Sequence, residues 1–210
     1  MNDPHHAASE SGTAAALRRL AATHAAPRFS VDDLLGALGD QGFGLLLLVL
    51  ALPNAVPGPP IPGFSVPFAL GIAALGAQLA LGLHAPRLPQ WMRRLSIQRQ
   101  RFERLVERTT PFLLWMERWL RPRPTGLTDD FGERLVGLAL IGMGALLALP
   151  IPFGNTPIAL SIVIVALGLL EGDGFALLVG LVAGFASALW NAVIVVAGAE
   201  LVELIRHFFY

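Results

Sequence analysis

Two proline-rich stretches in an otherwise apolar sequence, Pro53–Pro62 and Pro150–Pro157, hold the strongest candidates for a binding site. Proline lacks a backbone amide and clashes with the preceding turn, so each stretch is predicted to interrupt a helix. Carbonyls and amides freed at membrane depth must contact protein or line a wet cavity, as in transporters with discontinuous helices. Surface turns between ordinary helical arms are the alternative interpretation. The candidates for a substrate or ion pathway are Pro53, Asn54, Pro150, Pro152 and Asn155.

Glu171 and Asp173 flank a glycine and are the remaining candidates for this pathway. In a membrane setting two such carboxylates could bind a cation or relay a proton, and a capped turn in the headgroup layer explains them equally well. No nucleophile, metal-ligand set or second acid stands at a plausible spacing from them. We therefore expect no enzymatic activity, no catalytic residues, no metal and no cofactor.

The composition favours a bilayer as the solvent. Of 210 residues, 54% are hydrophobic and 14% charged, against about 25% charged in ordinary soluble domains. The chain contains no cysteine, which excludes disulfides, cysteine-bound zinc and iron–sulfur clusters. Its formal net charge is zero, which gives no reason to expect a nucleic-acid partner.

Arginine is concentrated in one segment, residues 84–134, which holds 11 of the 15 basic residues. The positive-inside rule predicts that this segment faces the cytoplasm. Apolar residues recur in it at helical spacing with arginines on other faces, which predicts a basic amphipathic helix. It could recognise phosphate on an anionic lipid or a polyprenyl-phosphate carrier. Alternatively, its arginines only set the orientation of the chain in the membrane. The candidate phosphate contacts are Arg93, Arg94, Arg101 and Arg104.

Five apolar stretches are the predicted helices that hold these residues. Three of them, of 11, 15 and 13 residues, are short for the roughly 20 residues that a full crossing needs. The stretches are Gly42–Leu52, Gly63–Leu83, Leu135–Leu149, Ile158–Leu170 and Phe175–Ala199. The chain is thereby divided into a flexible tail (1–27), a first membrane repeat (28–83), the arginine-rich segment (84–134), and a second repeat with a C-terminal transmembrane helix (135–210).

An internal repeat underlies that division. Leu50–Pro53 recurs as Leu147–Pro150, and Asp32-Asp33 recurs at the same offset of 97 residues as Asp129-Asp130. We predict an all-α polytopic membrane protein with two repeated helix–proline-break–helix units, crossing or re-entrant, joined by a cytoplasmic amphipathic helical segment. Arginines before each unit favour parallel repeats, and an inverted pair stays open.

Polar and small residues inside the long apolar helices point to helix packing. Gln78, Ser187 and Asn191 are predicted to form hydrogen bonds between helices. Gly180 and Gly184 allow close approach of a neighbouring helix. Because a chain this small would need several copies to enclose a pathway, a homo-oligomer is expected.

Three motifs in order resemble the ExoD family of bacterial exopolysaccharide-synthesis membrane proteins. They are Leu52-Pro53-Asn54 with its proline run, Pro150–Pro157 and Leu167–Gly174, preceded by a family-like entry at Gly39–Gly44. The similarity spans roughly residues 28–200 and leaves the tail outside. It implies a multi-pass bacterial inner-membrane protein linked to exopolysaccharide production, and in rhizobia to nodule invasion and alkaline tolerance. It implies no established chemistry.

The resulting hypothesis is an inner-membrane protein that supports exopolysaccharide synthesis or export. It would move a lipid-linked or anionic substrate, such as a lipid-linked saccharide or polyprenyl phosphate, between the two repeats, coupled to protons through Glu171 or Asp173. A non-transporting scaffold or regulator of a polysaccharide synthesis complex is the first alternative. A proton or ion antiporter is the second.

Overall fold

The computed structural model describes residues 28–30, 35–36, 38–39, 41–56, 63–90, 96–98, 120, 123, 125–151 and 154–209. These ranges contain five helices and a pair of three-residue strands that lie antiparallel, with Phe29 opposite Ile97. In chain order the elements are β1 (Arg28–Ser30), α1 (Gln41–Ala55), α2 (Ser65–Ala80), β2 (Ser96–Gln98), α3 (Asp130–Ala148), α4 (Asn155–Glu171) and α5 (Gly174–Phe209).

The helices form a bundle that contains two hairpins, α1–α2 and α3–α4. Each helix of one hairpin packs mainly against a helix of the other hairpin. Helix α1 packs along α4, α2 packs along α3, and α5 packs mainly on α4. We call the end where both hairpins turn the tips; there Asn155 Nδ2 donates a hydrogen bond to Ser65 Oγ over 2.8 Å. We call the opposite end the base; it holds the starts of α1, α3 and α5 and the ends of α2 and α4. At the base the amide of Gly174 donates to the carbonyl of Arg123 over 3.1 Å.

Glycines allow the backbones of α1 and α4, and those of α2 and α3, to come into contact. A Cβ on Gly44 of α1 would lie 2.6 Å from the carbonyl oxygen of Ala166 in α4. Across the bundle, a Cβ on Gly137 of α3 would lie 2.6 Å from the carbonyl oxygen of Gly76 in α2. Neither position has room for a side chain. Large apolar side chains fill the rest of the core, among them Phe43, Leu47, Ile72, Leu140, Ile158 and Ile162.

The all-helical architecture of the bundle is confirmed, while several helix ends differ from expectation. Helix α1 continues through Pro53 to Ala55, so this proline costs the helix one hydrogen bond to the preceding turn but does not end it. Helix α3 begins at Asp130, five residues before the apolar stretch, since carboxylates in a first turn complement the positive end of the helix. Helix α2 has 16 residues and ends at Ala80, whereas the apolar composition predicted a span of 21 residues.

The expected amphipathic helix within residues 84–134 is wrong for Ser96–Gln98, which are extended and paired with β1. Residues 83–89 also contain no helix. Backbone pairing with a segment far away in the sequence overrides the local apolar period here. Arg93, Arg94, Arg101 and Arg104 lie outside the described residues, so their predicted role stays a prediction.

Among the residues that the structure describes, two helices are long and apolar enough to cross a membrane: α3, with 19 residues, and the first 27 residues of α5. Helices α1, α2 and α4 are apolar but have 15, 16 and 17 residues. The outer surface of the bundle is also apolar and exposed, and such a surface indicates a membrane protein. Its exposed side chains include Leu70, Leu138, Leu160, Val182, Phe185 and Val193.

Candidate functional site

Asparagines from three helices lie at the level of the hairpin tips. Asn155, in the first turn of α4, joins the second hairpin to the first through its bond to Ser65 of α2. Asn191 of α5 lies beside the same turn, where its Nδ2 donates to the carbonyl of Gly154 over 3.3 Å and to that of Ser187 over 2.8 Å. The interhelical hydrogen bonds predicted for Asn191 and Ser187 are thus confirmed, since Ser187 Oγ also lies 3.2 Å from Ser161 Oγ.

Asn54 joins this group from the last turn of α1. It lies ten residues after Gly44, which contacts Ala166 and Leu170. Because α1 and α4 run antiparallel, Asn54 lies level with the first turns of α4. Only 5% of its surface is exposed.

Four buried side-chain atoms in the described ranges have no hydrogen-bond partner, and all four belong to these asparagines. They are Nδ2 and Oδ1 of Asn54, Oδ1 of Asn155 and Oδ1 of Asn191. A buried carboxamide atom without a partner costs about 1–3 kcal/mol, so such groups are rare in folded proteins. Their concentration at the tips makes this level of the bundle the candidate site.

The prolines at the tips have no direct part in this cluster. Pro53 and Pro150 are both exposed. Pro53 lies within the last turn of α1, and Pro150 follows the end of α3. Pro152 lies outside the described residues. The tip cluster therefore consists of Asn54, Asn155 and Asn191, with Ser65 as a partner.

Glu171 and Asp173 lie at the base, the full length of α4 away from Asn155. Seventeen residues of helix correspond to about 25 Å, so these carboxylates and the asparagines do not form one site. Asp173 is 2% exposed, and its Oδ1 accepts from the amides of Phe175 (2.9 Å) and Ala176 (3.2 Å). Asp173 therefore caps the start of α5, in agreement with the interpretation of this residue as part of a capped turn.

Asp173→Asn is expected to leave stability within about 0.5 kcal/mol of the parent, because asparagine also caps helices well, whereas Asp173→Ala loses about 1 kcal/mol. Thermal unfolding of the two variants measures the difference. Exopolysaccharide yield at alkaline pH is the second readout. A folded Asp173→Asn protein that fails at high pH would contradict a purely capping role and restore the proton-relay interpretation.

Ser65 and Asn191 were not among the sequence candidates for the pathway. One local signal could have pointed to Ser65: a polar residue stands two positions before a proline after each break, at Ser65 and Pro67 and again at Asn155 and Pro157. No comparable signal marks Asn191, because its role depends on where α5 passes the second break.

Comparison with known proteins identifies the family. Residues 13–193 match the family described as exopolysaccharide synthesis, ExoD. The chain belongs to the ExoD family. It is 28% identical over 184 residues to Protein ExoD of Rhizobium meliloti, covering 86% of this chain and 76% of that protein. It is also 32% identical over 149 residues to the uncharacterized protein slr1875 of Synechocystis sp., covering 70% of each. No solved structure matches.

ExoD membership implies involvement in exopolysaccharide synthesis and confirms the resemblance inferred from the proline motifs. The match begins at residue 13, so the expectation that the whole segment 1–27 lies outside the family is wrong for residues 13–27. With its apolar helices, ExoD membership also supports assignment to a membrane.

Proposed function

We propose that this ExoD protein is a multi-pass inner-membrane protein whose two hairpins handle a lipid-linked substrate of exopolysaccharide synthesis at their tips. The observation that supports this most is the set of partnerless carboxamide atoms where the two hairpins meet. We assign the protein no enzymatic step. The carboxylates at the base have no direct part in the tip site.

The depth of the tips follows from using α5 as a ruler. Asn191 marks the level of the second break, and the seventeen residues from Gly174 to it rise about 26 Å. The apolar part of α5 continues to Ala199, about 12 Å further. A hydrocarbon layer of about 30 Å centred on this apolar stretch leaves the tips roughly 8 Å below its far boundary. On this basis the hairpins are re-entrant.

The packing supports two duplicated units in parallel orientation. Gly44 of α1 contacts Ala166 and Leu170, whereas Gly137 of α3 contacts Gly76 and Ala80. Ala166 in α4 follows Gly76 in α2 by 90 residues, and Leu170 follows Ala80 by the same number. Gly137 follows Gly44 by 93 residues. The repeated tetrapeptide has a larger offset, 97 residues. Its two copies do not lie at equivalent places in the helices, because Leu50–Pro53 is helical throughout whereas α3 has already ended before Pro150. Both hairpins enter from the base.

The base is assigned to the cytoplasmic side by its arginines. Arg87, Arg123 and Arg134 all lie at the base, and positive residues beside membrane helices favour the cytoplasm. The arginine-rich segment connects the end of α2 to the start of α3, and both of these lie at the base. A homo-oligomer remains part of the proposal, because a chain this small would need several copies to enclose a pathway.

A reversible bridge between the hairpins tests the proposed substrate movement. Ser65→Cys and Asn155→Cys are combined in this cysteine-free chain, and the pair is bridged by a short, reducible bifunctional thiol reagent. If substrate passes between the hairpins, a deletion strain carrying the bridged protein yields at least about tenfold less exopolysaccharide, and reduction restores the yield. A tenfold change corresponds to about 1.4 kcal/mol.

Each single-cysteine variant, treated identically, is the matched control and keeps the yield of the untreated double variant. An unchanged yield from fully bridged protein would contradict movement between the hairpins. That result would favour the non-transporting scaffold, which needs no separation of the tips.

A further inference from the structure

We propose that the tips bind an uncharged, hydroxyl-rich group, namely the saccharide part of the substrate, and neither a phosphate nor an inorganic ion. This inference rests on the function proposed above and names the chemistry of the same site. It follows from which side chains the tips possess and which atoms lack partners.

The first observation is the lack of charge in the hairpin sequences. Residues 42–83, 135–170 and 174–199 contain no Asp, Glu, Lys, Arg or His. Both hairpins and the part of α5 that passes the tips fall within these ranges, apart from their ends at the base. The hairpins therefore offer a ligand only carboxamides, hydroxyls and backbone groups at the tips.

The second observation is the balance of the partnerless atoms, which are three oxygens and one amide nitrogen. The orientation of Asn191 is set by two carbonyl acceptors of its Nδ2, so its Oδ1 is an acceptor. A hydroxyl group both donates and accepts hydrogen bonds. Hydroxyl groups can therefore pair with the three oxygens and with the amide nitrogen alike.

Ions fit this set less well. A cation uses the three oxygens but leaves Asn54 Nδ2 without a partner, and the hairpins supply no carboxylate to offset its charge in a low-dielectric site. A phosphate needs donors such as arginine, and it would face three acceptor oxygens. A neutral polyol has neither problem.

Thermal unfolding in phospholipid nanodiscs tests the inference. Glycoside detergents are kept out because their sugar headgroups would compete. The probes are neutral trisaccharides (maltotriose and cellotriose), sodium chloride and sodium phosphate. A bound trisaccharide at about ten times its Kd raises the unfolding midpoint by roughly 3 °C, and the two salts at matched ionic strength do not.

Asn54→Leu is expected to abolish the saccharide shift, whereas Gln78→Met keeps it. Gln78 is the matched control because its carboxamide lies near the base, with Oε1 accepting from the amide of Arg87 over 2.6 Å. A shift with sodium chloride or phosphate that Asn54→Leu removes would overturn the inference in favour of an ion. No saccharide shift would overturn it as well. In either case the bridging experiment still decides separately whether the hairpins must part.

Discussion

Asn54→Leu is expected to stabilise the protein and at the same time to abolish its contribution to exopolysaccharide production. Leucine has nearly the same shape as asparagine and no polar atoms, so it removes two buried groups that lack partners. The expected gain is about 2 kcal/mol, which raises the unfolding midpoint by roughly 5 °C for a chain of this size. The loss of function follows because the same two atoms are needed for the ligand.

Thermal unfolding of purified protein and exopolysaccharide yield of a complemented deletion strain measure the two effects. Gln78→Met is again the control, and it lowers or preserves stability because its carboxamide has a partner. A destabilised Asn54→Leu protein would show that Asn54 is satisfied within the fold and would contradict its place in a ligand site. A more stable variant with full yield would remove Asn54 from the function.

Gly137→Ala is expected to destabilise the bundle by about 3 kcal/mol, lowering the unfolding midpoint by roughly 9 °C. The new Cβ would lie 2.6 Å from the carbonyl oxygen of Gly76 and would also collide with the amide of Ala80. Both obstacles are backbone atoms of α2, so no side chain can move aside. Helices α2 and α3 must separate, or α3 must shift along its neighbour.

Gly142→Ala is the matched control in the same helix. Gly142 is exposed, and no atom lies within 4 Å of the place that a Cβ would take, so only helix propensity changes and stability rises by up to about 1 kcal/mol. Gly44→Ala in α1 is expected to repeat the loss seen at Gly137, because its Cβ would meet the backbone of α4. Equal midpoints for the alanine variants at positions 137 and 142 would contradict the close approach of α2 and α3.

The order of helices and breaks was predictable because each apolar stretch is bounded by prolines or charges. Helix ends were less predictable. Asp130 and Glu133 lie inside α3, since the positive end of a helix accommodates acidic residues that apolar composition alone excludes. The strand at Ser96–Gln98 depends on a partner near the start of the chain, which local periodicity cannot show.

The site was predictable in part. Asn54 and Asn155 were recognised because they stand beside the proline breaks. Asn191 and Ser65 were not, because only the packing of α5 and α2 brings them to the tips. Asp173 was grouped with the tip residues on chemical grounds, and the fold separates them because α4 runs from the tips back to the base.

In the proposed topology both hairpins enter and leave the membrane on the same face, and this has a consequence for how such a protein can arise. A unit that starts and ends on one side of the membrane can be duplicated in tandem, and the copy inserts in the same orientation without any redistribution of flanking charge. Duplication of the gene segment therefore requires no change of orientation. In this arrangement α5 is an element that crosses to the far side.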